Sequence, residues 1–167
     1  YTCPILRSGL SSFALRTLQL EPLALFQRKT LKSILKLSIS APTPAIHFLT
    51  GELPIEGKIH MDIFSLFFGV WRNPDSKIYE IVKYIVKNSS DNSRTWIIHL
   101  KYLCEKYGLE DPFSCLIKDP PSKATYKEMV ATKISAYYEN MLRQSAQKNS
   151  LMTYLNVSTT VQHDNHT

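Results

Sequence analysis

Glycine is scarce in this 167-residue chain, at five positions. An all-β fold rich in tight turns needs more of it, so helices are expected. Cysteine is scarcer: Cys3, Cys104 and Cys115 form no C-x-x-C pair and are odd in number. This argues against a disulfide scaffold, fits a reducing intracellular setting, nuclear or cytoplasmic, and leaves each thiol as a small buried apolar residue. The most apolar run, Ile59 to Trp71, is too short for a membrane span and carries Asp62. No charged-then-apolar leader opens the chain, and it starts at Tyr1 rather than Met, so a piece of a longer reading frame is expected. Asn88-Ser89-Ser90, Asn156-Val157-Ser158 and Asn165-His166-Thr167 fit the N-glycosylation pattern but read as chance without a secretory signal.

Catalytic signatures are also missing. No serine sits in G-x-S-x-G, and no cysteine has a nearby histidine in a nucleophile signature. The acidic pair Glu110-Asp111 stands beside Pro112, which suits a solvated helix cap. His163-x-x-His166 has no Cys or carboxylate framework around it and reads as part of a polar tail. His47 and His60 fall on predicted helices, where a hydrogen-bonded structural histidine is expected ahead of a catalytic one.

What is present is ordinary globular composition, 44% hydrophobic and 20% charged, with a net charge of +6. That charge permits a polyanion partner if it is clustered. Residues up to about Glu21 read as irregular, and Pro22 opens a helix to about Leu37 with Leu23, Phe26, Thr30, Leu31, Ile34 and Leu35 on one side. Thr43 to Thr50 is a short helix, capped by Thr43, with Pro44 in its first turn and Gly51 as its left-handed stop. Pro54 opens the most hydrophobic helix, to Trp71; its stripe of Ile55, Ile59, Ile63, Phe67 and Val70 predicts a central position. Asp75 or Ser76 caps a helix burying Ile78, Ile81, Val82 and Ile85, and Ser89 to Ser93 is a polar loop. The next helix turns Trp96, Leu100, Leu103 and Tyr107 inward and stops at Gly108; Pro112 opens a short turn. After Pro120-Pro121 and a Ser122 cap, the last helix carries Tyr126, Met129, Val130, Ile134, Tyr137 and Leu142 to about Lys148. The expected fold is all-α: an irregular bundle of about six helices with a weakly structured N-terminal extension and a disordered C-terminal tail. The expected division is 1–40 for the extension and first helix, 41–156 for the helical domain and 157–167 for the tail.

The series Thr43-Pro44-Ala45, Leu49, Gly51, Leu53-Pro54-Ile55-Glu56 and His60 resembles a stretch behind the polymerase domain of the endonuclease/reverse-transcriptase polyproteins of non-LTR retrotransposons. Pro4, Leu6, Gly9 and Leu10 resemble the stretch before that family's thumb helix, and Phe26-Gln27-Arg28-Lys29 with Leu31 resembles the helix itself. Trp96 and Ile98, Lys106-Tyr107-Gly108-Leu109, Pro112, Pro120-Pro121-Ser122-Lys123, Tyr137-Tyr138, Ser150-Leu151 and Tyr154-Leu155 follow in the family's order. No one motif is catalytic or unique; the ordered series carries the likeness, over nearly the whole chain apart from the tail. It implies a non-catalytic fragment, the thumb end and the helical region after it, of a parent that is an RNA-directed DNA polymerase. The aromatic-x-Asp-Asp palm that holds two metals would lie upstream, since Glu110-Asp111 has no such setting. The family often continues into a zinc-knuckle-like cluster; this chain ends before one, and no metal or cofactor is expected.

Before Gly51 the cations are Arg7, Arg16, Arg28, Lys29, Lys32 and Lys36, and the one anion is Glu21. Arg28, Lys32 and Lys36 step by four along the first helix, joined by Lys29, opposite its apolar side. Such a face can dock on the fold and meet phosphates, or it can simply be solvated. The first reading makes the chain a holder of an RNA/DNA duplex, without sequence preference, through Arg28, Lys29, Lys32 and Lys36. Its partners are then nucleic acid and the rest of the polyprotein, with no membrane. The other reading is a helical protein-interaction module. Trp71, Trp96, Tyr137 and Tyr138 could stack bases, but their helical spacing in apolar runs fits a core role.

Overall fold

The computed structural model describes residues 9–15, 17–88 and 95–147. A 3₁₀ turn at Leu10–Ser12 is followed by α1 (Thr17–Ile34), α2 (Thr43–Thr50), α3 (Ile55–Trp71), α4 (Lys77–Asn88), α5 (Trp96–Tyr107), α6 (Pro112–Cys115) and α7 (Lys123–Gln147). Six of these have eight residues or more, and no strand occurs among the described residues. The fold is all-α.

The centre is α3, apolar on several sides, as its residue pattern predicts. Ile55, Ile59, Ile63, Phe64, Phe67, Phe68, Val70 and Trp71 are all buried. Against it lies α7 with an unbroken row at steps of four: Tyr126, Val130, Ile134, Tyr138, Leu142 and Ala146. Phe68 stacks on Tyr126 with ring centroids 4.6 Å apart. The two helices come so close at Gly57 that a Cβ there would sit 2.7 Å from Tyr138 Cε2. Leu100, Leu103, Cys104 and Tyr107 of α5 and Leu20 of α1 close the same core. The described parts of 1–40 and 41–147 therefore share one interior.

Chain punctuation explains most boundaries. Gly51 closes α2 at φ 64, and Pro54 is the cap residue of α3. Ser76 Oγ accepts from Tyr79 N at 3.1 Å to start α4, and Ser122 Oγ accepts from Thr125 N at 3.1 Å to start α7. Gly108, at φ 62, ends α5. At α2 the cap position falls to Pro42 and no side chain caps it; Thr43 is already helical.

Other boundaries and faces differ from the sequence expectation. The first helix begins at Thr17, and Pro22 lies inside it. An interior proline removes one backbone bond and costs about 3 kcal/mol, but a later start would forfeit Leu20, which is buried in the core. The helix ends at Ile34 rather than near Leu37. Leu37 N donates to Lys32 O at 2.9 Å and Lys36 N to Ser33 O at 3.2 Å; Lys36, at φ 52, takes the left-handed position of this C-terminal cap. Phe26 and Ile34 are exposed, because α1 turns Gln27 inward instead. Among the described side chains of α4 only Val82 is buried, packed on Val70 and Ile97; Ile78 and Ile81 point outward. On α7 the step-of-four row selects Tyr138 and leaves Tyr137 and Met129 partly exposed. The expected polar loop from Ser89 to Ser93, the Ser150–Leu155 likeness and the tail from 157 lie outside the described residues, as do residues 1–8.

Candidate functional site

Of the four cations singled out in the sequence, α1 brings three together. Arg28, Lys29 and Lys32 line a groove of about 440 Å³ whose apolar wall is Leu25, Leu37 and Ile39, with Ser33 beside them. Lys36 leaves the helix with the C-terminal cap. The negative end of the helix dipole lies here, where cations are favoured. The four are not equivalent. Arg28 Nη2 is 3.0 Å from Glu21 Oε1, so the one acid before Gly51 neutralises part of the cluster. The Lys32 ammonium donates to the Ile39 carbonyl and braces the connection into α2. Lys29 and Lys36 are exposed and make no ion pair among the described residues. The arrangement offers two solvent-facing ammonium groups and one half-engaged guanidinium on one corner. That suits several phosphates of a backbone better than one buried anion.

Several cations elsewhere among the described residues are tied to acids. Lys58 pairs with Glu52, Lys106 with Glu56, Lys118 with Glu110 and Arg143 with Glu139. Both tryptophans use their N–H on backbone, Trp71 on Lys118 O and Trp96 on Ser11 O, each at 2.8 Å. They serve packing and are not offered to a base. Burial pushes the Cys104 thiol up to about 12 and Cys115 up to about 11, so both stay protonated and unreactive at neutral pH.

A second constellation lies under the surface; the sequence leads to the expectation of a hydrogen-bonded structural His60 and an inward Tyr107 but not of their joining. His60, 3% exposed, reaches Tyr107 Oη from Nδ1 at 2.6 Å. The Tyr107 hydroxyl donates to that of Tyr138 at 3.3 Å, and the Glu56 carboxylate takes the Tyr138 hydroxyl proton's hydrogen bond. Lys106 Nζ is 3.0 Å from Glu56 Oε1 and 5.1–5.8 Å from the ring centres of Tyr107, Tyr137 and Tyr138. Burial holds His60 down to about 4, with Glu56 opposing and Lys106 and His99 reinforcing. Burial likewise raises the Tyr107 and Tyr138 hydroxyls well above the tyrosine range. All three side chains are therefore neutral at pH 7, and His60 donates from Nδ1. The chain of donors runs from α3 through α5 and α7 back to Glu56 on α3. It stitches three helices and gives a substrate no approach to the imidazole. His47 is held in the same way, buried and bonded from Nδ1 to Glu52 O at 2.7 Å, with burial lowering its pKa. The only sequence signal for the His60 network was Glu56 and His60 four residues apart on one helix face.

Gln27 is the other buried polar residue missed. Its Nε2 donates to Leu53 O at 2.8 Å and its Oε1 accepts from Ile55 N at 2.7 Å. It thereby satisfies the start of α3 and locks α1, and with it the basic corner, onto the core.

Among the described residues no helix is long and apolar enough to cross a membrane, and no three His, Cys, Asp or Glu side chains converge to hold a metal ion. Comparison with protein-family models, with curated proteins and with solved structures returns no match.

Proposed function

We propose that this chain is the thumb end and following helical region of a non-LTR retroelement reverse-transcriptase polyprotein, and that it holds the backbone of a template–primer duplex through the C-terminal end of α1. The observation that carries the reading is the convergence of Arg28, Lys29 and Lys32 on one groove, with Lys36 exposed just beyond it. The ordered series of residues supports the origin. The chain itself performs no chemistry in this reading; it positions nucleic acid for a polymerase encoded upstream. Binding rests on phosphate contacts and carries no sequence preference.

The test is duplex binding at several salt concentrations. With three or four phosphates engaged, log K should fall against log salt with a slope of about −2 to −4. Replacing Arg28, Lys29, Lys32 and Lys36 by Gln should flatten the slope and leave the helical circular dichroism spectrum unchanged, since Gln is a good helix former. Equal binding by parent and variant, or no parent binding at low salt, would refute it.

A second reading, a helical protein-interaction module, is favoured by one observation. Ile78, Ile81 and Tyr84 of α4 are exposed, and Ile78 joins Leu66 and Val70 of α3 along a groove of about 620 Å³. Parent protein that fails to bind duplex but binds an apolar helix there would favour this module.

A further inference from the structure

Gly69 is the one glycine of the chain that answers neither to a left-handed backbone nor to a tight crossing inside the fold. It lies within α3, and a Cβ built on it meets nothing within 4 Å. A glycine in a helix is less favourable than an alanine, so nothing among the described residues rewards its presence. Gly69 is exposed and lines the groove of about 620 Å³ between the end of α3 and the start of α4. A helix surface without a side chain lets a second chain come close to its backbone.

Beside this groove stands a ridge. Ile81 and Tyr84 of α4 are exposed, and Ile78, one turn before Ile81, belongs to the groove wall itself. Ridge and groove are therefore neighbours on one face. Such a face fits a copy of itself turned by a twofold axis, the ridge of each copy entering the groove of the other. The charges select the same occupant. The whole chain carries +6, so two copies repel one another in general. This face is balanced. Arg72 and Asp75 line the groove, and Lys77 and Glu80 stand one helical turn before Ile81 and Tyr84. All four are exposed and make no ion pair among the described residues. A partner of one sign would meet two like charges here, whereas a rotated second copy can set each charge against its opposite.

We propose that this face joins two copies of the chain in a twofold dimer, with Ile81 and Tyr84 of one copy packed over Gly69 of the second. The contact is small, so the association is weak and reversible. It also takes Leu66 and Ile78 out of water, where the single chain leaves them. The inference rests on the groove of the interaction-module reading and fixes its occupant. It needs no nucleic acid, and the groove shares no lining residue with that of the basic corner.

The test is sedimentation velocity of the full chain across a range of concentrations. The parent should pass from monomer to dimer with a Kd on the order of 10 μM. Gly69→Arg puts a long side chain into the open space of the groove and should weaken association about tenfold or more. Its circular dichroism spectrum should match the parent's, because the side chain displaces nothing of its own fold. Two further variants let charge decide. Arg72→Glu/Lys77→Glu makes the face wholly acidic, and Asp75→Lys/Glu80→Lys makes it wholly basic. Each alone should stay monomeric, and the two mixed in equal amounts should associate at least as tightly as the parent. A parent that is monomeric throughout overturns the dimer and leaves the duplex-binding reading untouched. Gly69→Arg that associates like the parent overturns it too, as does a charge-variant mixture that stays monomeric.

Discussion

Two regions of this molecule treat the same side chains in opposite ways. Around α3, isoleucines are hidden, Lys58 and Lys106 are paired with Glu52 and Glu56, and among the described residues no buried side-chain nitrogen or oxygen lacks a partner. At the α1–α2 corner, Ile34 and Ile39 face water, Lys36 occupies a left-handed backbone position that favours glycine, and Lys29 and Lys36 carry their charge outward. The centre obeys local and global rules together, as a region selected for stability does. The corner breaks several rules at once, and such departures concentrate where a partner is met. The difference places the stability of the described fold in the α3–α5–α7 centre, and the end of α1 is the corner to which the proposed function belongs.

The largest expected effect separates the two regions by one residue type. Ile134 is 0% exposed, under the α3–α7 crossing, so Ile134→Ala should cost about 2–5 kcal/mol. Ile34→Ala, at the exposed end of α1, should stay within about 0.5 kcal/mol. Urea unfolding midpoints at unchanged slope read both. Equal losses would erase the distinction between centre and corner.

Acid should attack the centre next. His60 titrates at about 4 in the fold against 6.5 in the unfolded chain. Between those values the unfolded state binds more protons, so stability is intact above 6.5 and is lost as pH falls towards 4. The loss from this group is about 3 kcal/mol at most. His47 and His99 are lowered by burial too and add in the same direction. Unfolding measured at pH 7 and pH 4.5 should show the drop, and His60→Gln should shrink it. A pH-independent midpoint would contradict the neutral, buried assignment of the imidazole.

Reading the chain residue by residue reaches the centre more easily than the corner. Pro44, Gly51, Pro54, Ser76, Gly108 and Ser122 act through backbone geometry that depends only on neighbours, so the boundaries near them were legible. The apolar pattern of α3 likewise declares its central place. Pro22 misled because burial of Leu20 outweighs the bond the proline removes, a tertiary effect invisible in a local window. Ile78 and Ile81 misled because β-branched residues at helical spacing predict an apolar face without saying whether anything covers it. Gln27 and the His60–Tyr107–Tyr138–Glu56 chain were illegible because their partners come from distant parts of the sequence. For the basic corner, the four residue identities were readable; the Glu21 pairing, the Lys32 brace and the exit of Lys36 from the helix were not.

A smaller effect compares two helix ends of the same geometry. α1 and α5 both close on a left-handed residue, Lys36 at φ 52 in one and Gly108 at φ 62 in the other. A side chain in that conformation costs about 1 kcal/mol. Lys36→Gly should therefore stabilise the protein by about 1 kcal/mol, and Gly108→Ala should destabilise it by a similar amount. Thermal midpoints moving in the same direction would show that the two caps are not equivalent.

The most direct test of the division between scaffold and function removes two charges in each of two places. Lys29→Gln/Lys36→Gln removes the two solvent-facing charges of the corner, and Lys127→Gln/Lys133→Gln removes two exposed charges on α7; both variants lower the net charge by the same amount. Affinity for a labelled RNA/DNA duplex is measured by fluorescence anisotropy at low salt. The corner variant should bind about tenfold more weakly than the parent, and the α7 variant should bind nearly as the parent does. Equal weakening would reduce the interaction to net charge, and a larger loss in the α7 variant would move the site away from α1.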